Sequence, residues 1–305
     1  MNKQKLLIVI VGPTAVGKTS VAIQLAQKLG TEIISADSRQ IYKELKIGTA
    51  KPTPEELTTI KHHFINSKSI EEDYDAGQFG RDALTLIHEL FKKFDNLILC
   101  GGSGLYVRAV TEGFDELPEI AEGVREKIIK DYEEKGLTWL QKQVAASDPD
   151  YYSIVDQKNP QRLMRALELN HSTGQTLGKL RKKNKLTHSF NIMKIGLELD
   201  REELYQRIDS RMDAMIDAGL FEEAKNFYPQ RELNALQTVG YQEIFGFLDG
   251  FYDKEEAIRL LKRNSRRYAK RQMTWFKKDK EISWFKPDQI MEIMLIIQNL
   301  DAKIK

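Results

Sequence analysis

The apolar run LLIVIV at residues 6–11 leads into a glycine-bearing loop, GPTAVGKT, after which TSVAIQLAQKLG carries apolar positions at helical spacing as far as Gly30. A continuous apolar run suits a strand buried on both faces, so this opening predicts strand, loop and helix in that order. Two more apolar stretches repeat the theme. EIISAD ends at Asp37, and NLILCGG ends at Gly101 and Gly102, with the amphipathic AGQFGRDALTLIHELFKKF just before it. The alternation predicts an α/β fold with a doubly wound parallel sheet, whose sites lie at the carboxyl ends of its strands.

The pattern changes at Gly113. GFDELPEIAEG is loop-like, and charged helical segments then run to about Lys185, among them NPQRLMRALELNHSTG and the basic KLRKKNK. FNIMKIGLELD, residues 190–200, resembles a return to the sheet, and the remainder is mostly helical. This predicts an α/β core split into residues 1–113 and 190–305, with a helical insertion over 114–189. There is no internal repeat.

Composition narrows the class. A chain of 305 residues with 41% hydrophobic content is long enough for a sizeable core. The net charge of +2 leaves any nucleic-acid affinity to local clusters. A single cysteine, Cys100, rules out an internal disulfide and a cysteine-rich zinc site. The run at 6–11 is too short to span a bilayer and precedes a glycine turn, so the expectation is a cytoplasmic protein away from membranes.

Gly12, Gly17, Lys18 and Thr19 fit G-x-x-x-x-G-K-[ST] without a mismatch, between a strand and a helix as that motif requires. Glycines let the backbone bring N–H groups onto phosphate oxygens, the helix N-terminus adds its dipole, Lys18 adds charge, and Thr19 can ligate Mg²⁺. The loop binds phosphate without saying whose; ATP is the first candidate. Nucleotidases of this kind end a neighbouring strand in a metal-binding aspartate. Here NLILC ends in Cys100, Gly101 and Gly102, and the nearest acid is Asp37. Asp37 is open to four readings: a metal-side acid, a substrate-binding acid, a general base, or a cap on the next helix. GGSGLY places Ser103 among glycines at a strand end, which suits a ligand site or a plain turn.

Basic residues cluster twice. KRNSRRYAKRQMTWFKKDK, residues 262–280, has Asp279 as its one acid; Leu261, Tyr268 and Trp275 recur at heptad-like spacing and predict a core-facing stripe with cations on the other faces. The insertion adds Arg162 and Arg165 on one helix face, then Lys179, Arg181, Lys182, Lys183 and Lys185. Such faces are either solvated or laid against phosphates. His62 and His63 are adjacent, point in different directions and read as structural.

Taken together, GPTAVGKT, SADSRQIYKELKIGTAKP, HHFI, YDAGQFGRDA, GGSGLY, NPQRLMRALE, TVGYQE and RRYAKRQMTWF resemble the successive motifs of the tRNA dimethylallyltransferases, or tRNA isopentenyltransferases, over nearly the whole chain. The resemblance implies a P-loop NTPase-like core. It implies transfer of a dimethylallyl group from dimethylallyl diphosphate to the N6 amine of the adenine 3′ of a tRNA anticodon, with Mg²⁺, the target base flipping into a channel. It further implies that Gly12, Pro13, Thr14, Ala15, Val16, Gly17, Lys18 and Thr19 cradle the diphosphate, with Thr19 on the metal and Arg207 or Arg211 facing the anion. Asp37 would take the amine proton, Ser38, Arg39 and Gln40 would hold the nucleotide, and Ser103 would line the channel where relatives often have threonine. Arg125 and the run Gln161, Arg162, Leu163, Met164 and Arg165 would contact the anticodon stem-loop. A monomer is the expected state.

The chemistry is coherent with those roles. A carboxylate is too weak a base to deprotonate an aromatic amine beforehand, but the amine acidifies as the new bond forms, so Asp37 can accept the proton late. The larger demand is charge accumulating on the leaving diphosphate. Three rivals stand beside this reading. They are a P-loop small-molecule or nucleotide kinase, a nucleic-acid-binding module switched by ATP, and an isopentenyltransferase acting on free adenine nucleotides.

Overall fold

A computed structural model describes residues 5–115, 117–180 and 186–303. The chain divides into two compact units, residues 1–113 with 187–305, and residues 114–186.

The first unit opens with β1 (Leu6–Val11), α1 (Lys18–Leu29) and β2 (Ile33–Ser35), followed by α2 (Pro54–Thr59) and β3 (His62–His63). It continues through α3 (Ala76–Leu90), β4 (Asn96–Gly101) and α4 (Gly104–Thr111). The six strands of the completed sheet are all parallel, in the order β3-β2-β4-β1-β5-β6. This is the parallel α/β class that the hydrophobic pattern predicts, with the P-loop-like core that the resemblance implies. Every side chain of β1 is buried, and alternate residues feed opposite layers. Leu7, Val9 and Val11 join the layer that holds Phe79, Ala83 and Val110; Leu6, Ile8 and Ile10 join that of Val21, Leu25 and Ile293.

The second unit is helical: α5 (Val124–Ser147), α6 (Pro149–Ile154), α7 (Pro160–Thr173) and α8 (Leu177–Leu180). Gly136, at φ 73°, interrupts α5. Its core contains Ile128, Leu140, Val144, Leu163, Leu167 and Leu177. Asp148, 2% exposed, joins two of its helices: Oδ1 accepts the N–H of Tyr151 at 3.2 Å and Oδ2 that of Leu177 at 2.8 Å.

The sheet resumes at β5 (Asn191–Leu197), followed by α9 (Arg201–Asp217), α10 (Leu220–Phe227), α11 (Gln242–Leu248) and α12 (Lys254–Phe276), then β6 (Ile282–Phe285) and α13 (Ile290–Lys303). The helical unit ends at Leu186 rather than 189, because His188 belongs to the α/β unit: its Nε2 donates to the carbonyl of Thr111 at 3.0 Å and its ring packs on Phe190. Strands β3 and β6 have no counterpart in the hydrophobic pattern. Both are short edge strands, and β6 buries only Ile282, so neither carries a long apolar run.

Candidate active site at the carboxyl ends of β2, β4 and β1

Three neighbouring strands end together, and the loop leaving each brings one part of the site. The phosphate loop follows β1, the Asp37 turn follows β2, and the Ser103 loop follows β4, the strand between them.

The phosphate loop turns through positive φ at Ala15 (65°) and Gly17 (106°). Ala15 is one of few non-glycine residues in that region, so the loop holds backbone strain where an anion would sit. Val16 is fully buried in the core, which leaves only its backbone to a ligand. Lys18 Nζ donates to the carbonyl of Pro13 at 2.7 Å. Burial holds the Lys18 ammonium at about 8, well below an ordinary lysine, although the Cys100 and Asp37 side chains favour its charge. The same burial pushes the Cys100 thiol up to about 12, so it stays neutral beside the loop.

Of the two candidate arginines, Arg211 reaches the loop: its guanidinium donates to Thr14 Oγ1, and burial lowers its pKa while Asp37 opposes that shift. Arg207 is paired with Glu203 at 2.8 Å and is half-exposed, with its guanidinium near Gly17.

Asp37 caps no helix. Its Oδ1 accepts the N–H groups of Arg39 at 2.9 Å and Gln40 at 3.2 Å, closing a turn of its own. Ser103 Oγ accepts the N–H of Ser38 at 2.9 Å, so the loops after β2 and β4 are joined beside the acid. The Gln40 amide donates to the carbonyls of Thr49 (3.2 Å) and Ala50 (3.0 Å), and Arg39 donates to the carbonyl of Asn234 (3.0 Å). The other side of that 47–50 segment rests on Glu223, whose carboxylate accepts the N–H groups of Lys46 (3.1 Å), Ile47 (2.9 Å) and Gly48 (2.9 Å) and the hydroxyl of Tyr241 (2.7 Å).

The glycines of GGSG permit close packing. A Cβ would lie 2.1 Å from the Ala36 carbonyl oxygen at Gly101, 2.3 Å from Gln272 Nε2 at Gly102, and 2.3 Å from Trp275 Nε1 at Gly104. Beyond them opens a cavity of about 460 Å³, lined by Ser38, Arg39, Ser103, Tyr106, Tyr268 and Trp275 among others. The predicted core stripe on α12 holds in part. Leu261 is buried and Trp275 packs against the same core, but Tyr268 and Trp275 also line the cavity, and the buried face is Ala257, Leu261, Ser265, Ala269, Gln272 and Phe276. A second cavity of about 40 Å³ lies between Lys18, Thr19, Ser35, Asp37 and Cys100.

The basic faces are also revised. Lys262 pairs with Asp213 (2.6 Å), Arg266 with Asp209 (2.6 Å) and Lys277 with Glu198 (2.7 Å), whereas Arg267, Lys270 and Arg271 are exposed. In the helical unit Gln161 and Arg162 are exposed. Arg165 and Arg125 flank the buried carboxylate of Glu168, at 3.2 and 3.7 Å. Leu163 and Met164 are core residues there, 0% and 6% exposed, so their side chains have no surface to offer an RNA and do not belong among the tRNA-facing residues. Arg181, Lys182, Lys183 and Lys185 lie outside the described residues. His62 bonds the Ile60 carbonyl (2.8 Å) and His63 bonds Glu32 (2.6 Å), the structural use expected of them. Among the described residues no helix is long and apolar enough to cross a membrane, and no three His, Cys, Asp or Glu side chains group as for a metal.

Sequence reasoning does not find Gln272 or Glu223. The one lies inside a run of cations and the other on an amphipathic helix, and only the RQ pair within YAKRQMTWF hints at the first.

Comparison with known proteins agrees with this geometry. The profile of the family described as IPP transferase matches residues 40–279. The tRNA dimethylallyltransferase of Cytophaga hutchinsonii is 51% identical over 294 residues, covering 96% of this chain and 97% of that one. That of Christiangramia forsetii is 50% identical over 283 residues, covering 93% and 94%. Among solved structures, the full-length tRNA isopentenylpyrophosphate transferase of Bacillus halodurans superposes with a TM-score of 0.73 at 38% identity, covering 99% of this chain and 98% of that one. A eukaryotic dimethylallyltransferase acting on tRNA gives 0.75 at 27% identity, covering 93% and 74%. With a phosphate loop, an acid turn and a glycine-lined cavity gathered at three strand ends, and with relatives aligned over nearly its whole length, the chain belongs to the IPP transferase family.

Proposed function

We propose that the protein transfers the dimethylallyl group of dimethylallyl diphosphate to the N6 amine of the adenine 3′-adjacent to a tRNA anticodon, releasing diphosphate. The observation that carries this reading is the junction of the Asp37 turn with the phosphate loop. The acid lies close enough to the Lys18 ammonium to favour its charge, and Ser38, the next residue, lines a cavity roomy enough for a flipped base. A kinase reading explains the loop and leaves that junction unused.

The N6 lone pair forms the new bond to the allyl C1 as the C1–O bond breaks. The bonding electrons leave on the diphosphate oxygen, and the amine proton passes to Asp37. Lys18, Arg211 and the loop N–H groups stabilise the departing anion. The aromatic rings of Tyr106, Tyr268 and Trp275 offer surfaces on which the extruded adenine stacks, offsetting the few kcal/mol that flipping costs.

Mg²⁺ fits the donor chemistry of the small cavity. Thr19, Ser35 and Asp37 supply hard oxygens, and the neutral Cys100 thiol does not compete. Thr19 would hold the ion, which when bound screens charge on the diphosphate. Exposed Arg162 with Arg125 and Arg165 forms a surface for the anticodon stem-loop. A cytoplasmic monomer is the setting that goes with a tRNA substrate.

The test is incubation with labelled dimethylallyl diphosphate and unmodified tRNA, followed by nucleoside analysis. Label in N6-dimethylallyladenosine is the expected result. ADP release from ATP, with no labelled nucleoside, overturns the reading in favour of the kinase; label on free adenine nucleotides alone overturns the tRNA assignment.

A further inference from the structure

We propose that Gln272 is a positioning residue that sets the span between the leaving diphosphate and the acceptor base by tying the phosphate loop to the Ser103 loop; the proposal rests on the prenyl-transfer reading of the site.

Gln272 reaches the site from α12 and is 7% exposed. Its Oε1 accepts the N–H of Thr14 at 2.8 Å, and its Nε2 donates to the carbonyl of Gly102 at 3.0 Å. One partner can only donate and the other can only accept, so the amide has a single workable orientation. No other common side chain of this length fits: a lysine has no acceptor for Thr14, and a glutamate sets a carboxylate against the Gly102 carbonyl. The fit is close enough that any Cβ at residue 102 would collide with Nε2, at 2.3 Å.

A continuous path follows from this one side chain. Arg211 donates to Thr14 Oγ1, Thr14 donates through its backbone to Gln272, and Gln272 donates to Gly102. The next residue, Ser103, receives the N–H of Ser38, which adjoins Asp37. The anion end and the acid end of the site are therefore held in register through α12. During transfer one bond breaks at the diphosphate while another forms at the amine, so an error in that span acts on the reaction step. A displacement of about 1 Å in such geometry costs on the order of 10²-fold in rate. The amide also withdraws the Thr14 N–H from the set available to phosphate, which makes Gln272 a spacer and not a ligand.

The experiment uses the full chain with dimethylallyl diphosphate and an unmodified anticodon stem-loop. Gln272→Met keeps the volume without the amide, and Gln272→Asn keeps the amide but is one methylene too short for both loops. Both variants are expected to lose kcat by about 10²-fold, while the separately measured affinities for dimethylallyl diphosphate and for RNA stay near wild type. Wild-type kcat in either variant overturns the proposal. So does a raised KM for the diphosphate at unchanged kcat, which makes Gln272 a binding group. Loss of the folded state in both variants, read by circular dichroism, makes it a scaffold residue and overturns the proposal as well. Wild-type turnover is measured first: its absence rejects the prenyl-transfer reading, whereas turnover with unaffected variants rejects Gln272's role alone.

Discussion

Lys18 Nζ donates to the carbonyl oxygen of Pro13, 2.7 Å away, so the cation of the phosphate loop is satisfied from within its own loop. Burial sets that ammonium at about 8. An anion bound beside it favours the charged form, so binding takes up a proton above that pH. Inorganic diphosphate affinity should therefore fall as pH rises through about 8, by up to about tenfold per pH unit. Calorimetric titration across this range checks it, and Lys18→Arg, charged throughout, should flatten the profile. The sign for folding is separate. Between about 8 and the ordinary value of 10.5 the unfolded chain holds a proton that the folded chain releases, so this lysine makes stability rise with pH there.

Because Asp37 Oδ1 closes the turn at Arg39 and Gln40, an alanine there removes both a base and a turn. Asp37→Asn retains the acceptor and removes only the base. Its single-turnover rate should drop by about 10²- to 10⁴-fold with RNA affinity unchanged. Undiminished turnover would dismiss the general-base role.

The ion pairs sort the cations into spent and available. Arg162→Ala, which removes an exposed cation, should lower the slope of log K against log salt for tRNA by roughly one unit for each phosphate that the protein no longer neutralises, and Arg165→Ala, taken from a side chain paired with Glu168, should lower it less. Lys262→Ala and Arg266→Ala, taken from side chains already paired with Asp213 and Asp209, should leave the slope near wild type. The reverse ranking in a filter-binding series would move the RNA surface onto α12.

Leu163→Ala should destabilise the helical unit by about 2–5 kcal/mol, as truncation of a fully buried leucine does. Thermal unfolding reads that loss, and RNA affinity well below the transition should be unaffected. Weakened RNA binding at unchanged stability would restore Leu163 to the RNA-facing residues.

Glu223→Ala leaves the N–H groups of Lys46, Ile47 and Gly48 and the buried Tyr241 hydroxyl without their acceptor. Each such group that remains buried costs about 1–3 kcal/mol. Faster protease cleavage within residues 46–52 is the expected sign, and an unchanged cleavage pattern would count against Glu223 as the anchor of that segment.

How legible each part is in the amino-acid sequence follows from how it is encoded. β1 and its loop are legible because burial on both faces needs an unbroken apolar run and because the loop's chemistry constrains several adjacent positions. Asp37 is legible as an acid at a strand end, yet the turn it closes onto Arg39 and Gln40 is one that residue types alone do not specify. The face of α12 misleads because its core positions include Ser265, Ala269 and Gln272, which carry no hydrophobic signal, whereas Tyr268 and Trp275 do and line a cavity, Trp275 while packing against the core. Leu163 and Met164 sit between Arg162 and Arg165 in a continuous motif, although a helix turns them inward. Gln272 is invisible because its value lies in two partners 258 and 170 residues away.

The hydrogen bond from His188 to Thr111 closes the α/β unit where the helical unit leaves and returns. Both chain crossings thus share one doorway, and the catalytic sheet is complete on its own side of it. The helices between 114 and 186 are in that sense a cassette, a compact unit spliced into one connection of the α/β unit.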